Sequence, residues 1–334
     1  MTTLRGRVTL ALVTLTALAA LLAAVATAQP ARTGQPAATA PSHVTIGYQP
    51  GIGYAPLIIL KTQKTLEKQF PGTTFSWLVL ASGAAITNGV ISGDIQVGAG
   101  GTGPLIVGWA QGVDWKVIAG LDWGDLWLMA KDPNIKTIAD LKGKRIAMPG
   151  PTSIQAVVLR KMAQVKLGDA HALDSTIISM DHPAAMQALL TGQIDAHLTS
   201  APYQLQEKVR GAHIIARSNQ YFGASSFLSA WETSKFYNQY PEFSKTFYDD
   251  VQKAIKLINT NPTKVAHLLQ DDSAGVPTWR QYKQWLGASG LTFTTRPLGL
   301  MRYANFMNKI GMTKKMPASW QDLVFPPVYP TKGS

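Results

Sequence analysis

Ser82, Thr102, Ser153 and Ser200 each stand close to the start of an apolar, helix-forming run, and Gly53, Gly83, Gly101 and Gly103 crowd the same places. A hydroxyl at such a position joins the unpaired backbone N–H groups and the positive dipole end of a helix. Glycine lets a ligand come close to the backbone. Together they suit non-covalent capture of a small anion or a strongly polar group. Covalent catalysis is poorly served. The sequence holds no cysteine, which removes thiol chemistry, Cys-ligated zinc, iron–sulfur clusters and a lipid-modified N-terminal cysteine. It contains neither a Gly-x-Ser-x-Gly nucleophile motif nor a Walker-type phosphate loop. His182 and His197 are placed toward the same side of the chain's repeat, described below. No His-Glu-x-x-His or His-x-x-Glu-His spacing accompanies them, so neither a metal nor a cofactor is expected.

The elements that must position these residues alternate. His43–Gln49, with Val44, Ile46 and Tyr48 apolar, predicts a strand, and a helix follows through Leu57 toward Phe70. Strands are expected at 75–80, 95–99 and 115–121, with helices from Ser82 to Gly93 and over 102–110. Short strands between helices of this length indicate βαβ units and an α/β fold with a mostly parallel sheet.

A repeat doubles that pattern. Pro50-Gly51 recurs as Pro149-Gly150, Ser82 as Asp181, and Val90–Ile95 as Leu189–Ile194, all 99 positions apart. Three matches at one offset predict two related lobes. Ligands of open α/β sheets bind beyond the carboxyl ends of the strands. Two facing lobes would therefore share a cleft lined by the loops at 49–54, 81–83, 100–103, 150–155, 181–182 and 200–203. Tyr54, Tyr203, Tyr221 and Phe222 fall at cleft-facing ends, and Trp123 and Trp127 fall where the chain crosses between lobes. Trp123 and Tyr54 are the aromatic contacts expected for an organic part of a ligand. Asp122 could meet a cationic group.

Charge and the amino end bound the setting. The 334 residues carry 31 basic and 19 acidic side chains, a formal charge of +12. That balance agrees with an anionic partner. The basic residues are dispersed and form no reading motif, so no nucleic-acid partner is expected. Arg5 and Arg7, an apolar run from Val8, and Ala26-Thr27-Ala28 make the pattern of a signal peptide over residues 1–28, with a flexible linker over 29–42.

These residues resemble a known family. Ile46-Gly47-Tyr48-Gln49, Ala55-Pro56, Leu66–Pro71, Ser92-Gly93-Asp94-Ile95, Ile138–Ala147, Gly192–Ala196 with Pro202-Tyr203, and Trp320–Leu323 are similar to the aliphatic-sulfonate-binding proteins. These belong to the nitrate/sulfonate/taurine group of periplasmic solute-binding proteins of ABC importers. The resemblance implies a two-lobed periplasmic-binding-protein fold of type II with a two-crossing hinge, near 122–132 and 217–227. Lobe 1 would comprise 43–125 and 225–334, the latter a helical C-terminal part, and lobe 2 would comprise 126–224. It further implies a monomeric, non-catalytic periplasmic carrier that hands a small organic anion to a membrane permease driven by an ATPase. A sulfonate or taurine is the first ligand implied; nitrate-like or heteroaromatic, thiamine-precursor-like compounds are alternatives, as is a role as a sensory receptor subunit. The family's ligand loops fall here on Gln49 through Tyr54, on Ser82-Gly83, on Gly101-Thr102, and on Thr152-Ser153. Ser200-Ala201 replaces the Trp-Asp that sulfonate binders tend to carry before Pro-Tyr, which leaves the ligand open. Pyrimidine-synthase enzymes that share the fold carry a cysteine-rich motif, absent from this chain.

Overall fold

The computed structural model describes residues 40–334; the expected signal peptide and most of the expected linker lie outside the described residues. The chain forms β1 (His43–Tyr48), α1 (Ala55–Thr62), α2 (Thr65–Gln69), β2 (Thr74–Val79), α3 (Gly83–Ser92), β3 (Val97–Gly101), α4 (Thr102–Ala110) and β4 (Trp115–Gly124). It continues through β5 (Trp127–Ala130), β6 (Ile146–Met148), α5 (Ile154–Leu167), β7 (Ile177–Ser179), α6 (His182–Thr191), β8 (Ala196–Thr199), α7 (Tyr203–Val209) and β9 (His213–Arg217). After α8 (Asn219–Phe222) come β10 (Ser226–Thr233), α9 (Ser234–Gln239), α10 (Pro241–Thr260), α11 (Pro262–Asp272), α12 (Trp279–Leu286), β11 (Leu291–Phe293) and α13 (Leu300–Lys309).

Two sheets result, ordered β11-β4-β10-β3-β1-β2 and β7-β6-β8-β5-β9. In the first, β1 pairs in parallel with β2 and β3, with Ile46 opposite Trp77 and Val97. β10 is inserted antiparallel between β3 and β4, its Ala230 opposite Ala99 and Ala119. In the second, β6 pairs in parallel with β7 and β8, while β5 runs antiparallel between β8 and β9. Most strands of each sheet therefore share one direction; β10 and β5 run against it from inside their sheets, and β11 runs against it at the edge of the first, antiparallel to β4. The expected mostly parallel sheets are thus mixed in their pairing. β10 and β5 are the strands that each sheet receives just after the chain passes between the sheets, at 125–126 and again over 218–225.

Local sequence explains the element ends. Ser82, Ser153 and Asp181 each accept a hydrogen bond from the backbone N–H three residues on, the side-chain cap of a helix start. Gly93, Gly168 and Gly192 close the same three helices with φ of 85°, 83° and 77°, a conformation glycine adopts without strain. The single helix expected from Leu57 toward Phe70 is two, because Lys64 is left-handed (φ 50°) and breaks the hydrogen-bond ladder between α1 and α2. β3 begins at Val97 rather than Ile95.

Val44, Ile46 and Tyr48 on one face of β1 and Thr45 and Gly47 on the other are all buried, as a strand covered on both sides requires. Beneath the first sheet Trp115 and Trp231 are fully buried with ring centroids 5.4 Å apart. Such a pair adds roughly 0.5–1.5 kcal/mol to the area that it buries. α10 turns Phe243, Phe247, Val251, Ile255 and Ile258 inward at helical spacing and lies against α1 and β4, so the late part of the chain completes the first sheet's cover.

Candidate functional site

The carboxyl ends of β1 and β3 from the first sheet face the helix starts of α5 and α6 from the second across a narrow cleft. Gln49, Gly51, Gly53, Tyr54, Gly83, Gly101, Phe227 and Leu228 line it from one side, and Ser153, Gln155, His182, Ser200 and Ala201 from the other. No Lys or Arg is among the lining residues. The free space is about 20 Å³, and a site needs roughly 10–15 Å³ to seat one water. Anything larger requires the lobes to part.

The lobes touch where two helix starts meet. A methyl placed on Gly101 would lie 2.9 Å from Ile154 Cγ2, and one on Gly103 would lie 2.8 Å from the Ile154 nitrogen. Only glycine allows the first turn of α4 to rest on the first turn of α5 this way. Gly83 is equally confined, since a Cβ there would sit 2.7 Å from Pro104 Cγ. Gly51 and Gly150 take nearly the same φ, 157° and 155°, which backs the repeat of their Pro-Gly loops.

Among the expected ligand residues, the cleft gathers Gln49, Tyr54, Gly83, Gly101, Ser153 and Ser200. Tyr54 donates its hydroxyl hydrogen to Gln49 Oε1 at 3.3 Å, which fixes both side chains. Ser153 caps α5 and donates to the Gly150 carbonyl at 2.6 Å, so it holds the loop as well as facing the cleft. The other five lie elsewhere. Thr102 is fully buried and its hydroxyl donates to the Ser226 carbonyl at 3.0 Å. Ser82 lies behind Gly83, its oxygen taken by the Ala85 N–H. Thr152 turns its carbonyl toward Gly103 without lining the space. Trp123 points away, its indole N–H donating to the Arg296 carbonyl at 2.7 Å and its ring under the Arg296 guanidinium.

Asp122 is the fifth. It lies behind Gly53, so close that no β-carbon would fit on that glycine. Its Oδ1 accepts from the Leu228 N–H at 2.9 Å and its Oδ2 has no partner. Burial pushes its carboxyl up to about 8. It lines a small cavity at the crossing with Asp125 and Gln204. Tyr221 and Phe222 also fall outside the cleft; they lie beside Lys161 and Arg302, with Phe222 against Tyr303 at 4.4 Å.

Gln155 falls in the loop expected to line the cleft, 150–155, but not among the expected ligand residues, and Phe227 and Leu228 fall in neither. Gln155 had a signal: it is the one polar residue in the run Ile154–Leu159, so its side chain is buried with the apolar ones. Phe227 and Leu228 reach the cleft only because β10 inserts beside β3, which no local pattern announces. A second cavity, of about 320 Å³, opens from the cleft past Gln49, Pro50 and Gly51; Tyr48, Tyr203, Tyr282 and Trp285 are in its wall.

Among the described residues no group of His, Asp and Glu converges to hold a metal ion, and no helix is long and apolar enough to cross a membrane. The sequence profile of the NMT1-like family matches residues 37–270. The taurine-binding periplasmic protein of Escherichia coli (strain K12) is 28% identical over 213 residues, 62% of this chain and 64% of that protein. The chain spans between about half and two thirds of the length of the first two curated relatives that it matches, 49% and 64%. An alkanesulfonate-binding protein from Xanthomonas axonopodis pv. citri, solved with MOPS bound, superposes with a TM-score of 0.69 at 20% identity, over 88% of this chain and 99% of that one. The nitrate-binding protein of Synechocystis PCC 6803 does so with a TM-score of 0.68 at 13% identity, over 84% of each chain. At those identities the likeness is one of fold, the two-lobed fold of periplasmic binding proteins.

Proposed function

The chain belongs to the NMT1-like family, and we propose from that premise that it is the periplasmic solute-binding component of an ABC importer. It takes a small organic anion into the cleft between its lobes and delivers it to a membrane permease and ATPase, without catalysis. A sulfonate of the taurine class is the first candidate. The observation that carries this reading is the cleft itself: backbone and small polar groups at the starts of α3, α4, α5 and α6 converge on it from both lobes. Helix N-termini and hydroxyls favour negative charge. Closure of the lobes over the ligand is a hinge motion about the two crossings.

The second cavity supports a variant of this reading, in which the ligand carries an aromatic or bulky organic body. Tyr203, Tyr282 and Trp285 would cover that body while the anionic end lies in the cleft. The test is a thermal-shift panel of ethanesulfonate, taurine, nitrate, benzoate and an aminopyrimidine. A ligand at a hundredfold its Kd stabilises by about 2.7 kcal/mol. A shift with ethanesulfonate or taurine supports the first reading. A shift with the aminopyrimidine alone replaces it with a heteroaromatic ligand.

A further inference from the structure

One wall of the cleft continues inward as a file of four buried side chains. Gln155 Nε2 lies 3.0 Å from His182 Nε2, His182 Nδ1 lies 2.9 Å from His197 Nε2, and His197 Nδ1 lies 2.5 Å from Glu207 Oε1. Gln155 and His182 line the cleft, whereas His197 and Glu207 are wholly buried behind them. The second Glu207 oxygen has no partner.

A neutral imidazole has one donor nitrogen and one acceptor. In such a file the direction of one hydrogen bond therefore sets the direction of all. With a proton on Glu207, the carboxyl donates to His197 Nδ1, His197 Nε2–H donates to His182 Nδ1, and His182 Nε2–H points toward the cleft end. Gln155 then turns its amide oxygen to His182 and frees its N–H2 for an acceptor in the cleft. Without that proton every bond reverses, and Gln155 N–H2 donates to a bare His182 Nε2. We propose that Gln155, His182, His197 and Glu207 form a proton-polarised relay that decides whether the cleft offers its ligand hydrogen-bond donors or acceptors, with Glu207 as the distant positioning residue.

One outside charge acts on the file, the Asp181 carboxylate, which pulls His182 up against the burial that holds it well below the usual imidazole range. Of the groups on the elements around it, Asp181 caps α6 and Tyr203 of α7 stacks on His182 at 5.6 Å. Lys208 of α7 and Arg210 just after it turn to Trp127 and Met186. Arg160 of α5 is held by Asp174, Arg145 before β6 by Asp195 before β8, His213 of β9 by the Ile135 carbonyl, and Arg217 by Asp125. β5 offers Met129 opposite His197 and no titratable group. Burial pushes Glu207 up to about 9 and His197 down to about 3, so both are neutral near pH 7 and the donor state is the resting one once the Gln155 amide, whose Nε2 faces His182 above, is turned by 180°. An anion prefers that state. Its affinity is retained below about pH 9 and lost as the Glu207 proton leaves.

This rests on the anion reading above only for its binding arm; the relay itself is read without a ligand. In the 15N-histidine-labelled full chain, the ring nitrogens of His182 and His197 should both carry the proton on Nε2 at pH 7. Both should move it to Nδ1 together above about pH 9. In Glu207→Gln the amide N–H2 takes the place of the carboxyl hydrogen, and both rings should hold Nε2–H throughout. Rings that titrate independently, or that already carry Nδ1–H at pH 7 in the wild type, overturn the relay whether or not the variant folds. In the binding arm, the affinity for ethanesulfonate should fall about tenfold per pH unit above the switch in the wild type and stay level in Glu207→Gln. Affinity that ignores the switch overturns the claim on ligand polarity. If ethanesulfonate does not bind at pH 7, the sulfonate reading fails and the tautomers alone decide the relay.

Discussion

Gly83 and His182, Gly98 and His197, and Gly108 and Glu207 are each 99 positions apart, the offset of the repeat. Gly98 of β3 stands opposite Gly47 of β1, just as His197 of β8 stands opposite Ala147 of β6. His182, His197 and Glu207 of the second lobe thus answer to three glycines in the first. In the first lobe the room is filled from outside. A Cβ on Gly98 would lie 2.7 Å from Trp231 Nε1, and one on Gly108 would run into the Trp115 ring. Two tryptophans on β10 and β4 take the space that His197 and Glu207 take in the second lobe. The first lobe thus packs tryptophan where the second holds a buried file of polar side chains.

The largest test of this comparison exchanges the two interiors. Gly98→His would force the new side chain against Trp231 and Val90 Cγ2, 2.7 and 2.8 Å from its Cβ. Overpacking costs about 1–3 kcal/mol and an unpaired buried ring nitrogen about 1–3 more. The melting temperature, by calorimetry, should drop accordingly; an unchanged value would mean that the first lobe has room for a polar file after all. Smaller effects separate the two capping serines. Ser82→Ala and Ser153→Ala should each lose about 1 kcal/mol in urea unfolding. Only Ser153→Ala, which lines the cleft, should also weaken binding of whichever compound shifts the melting temperature. Equal binding losses would put Ser82 in the site and erase that difference between the lobes. Trp123→Ala should change least. Its ring lies outside the cleft, so titration calorimetry should find the affinity within about twofold of wild type, the scale of a surface change of ±0.5 kcal/mol.

The features legible in the sequence were those fixed by near neighbours. Ser82, Ser153 and Asp181 cap helices because a side chain reaches the N–H three residues on, and Gly93 and Gly192 end them because only glycine is at ease there. The resemblance to solute-binding proteins carried the fold further than any local pattern. What was hidden depends on distant partners. Thr102 looked like a ligand hydroxyl, but its acceptor is the Ser226 carbonyl, 124 positions away. Asp122 and Trp123 stand in β4, just before the crossing at 125–126, and the pleat of that strand buries one behind Gly53 and sends the other to Arg296. The break at Lys64 had no signal, since lysine is an ordinary helix former. The His182–His197–Glu207 file joins two helices and a strand, and neither histidine had a spacing that marked it.

The placement of β10 sets an order of assembly. A chain released from its amino end has all of the second sheet, through Arg217, before Ser226–Thr233 exists. Until that segment arrives, β3 and β4 have no strand between them, and their unpaired edges invite other chains. The lobe begun first is therefore the last to close, and the interval before its middle strand is made is when a newborn molecule most needs a chaperone.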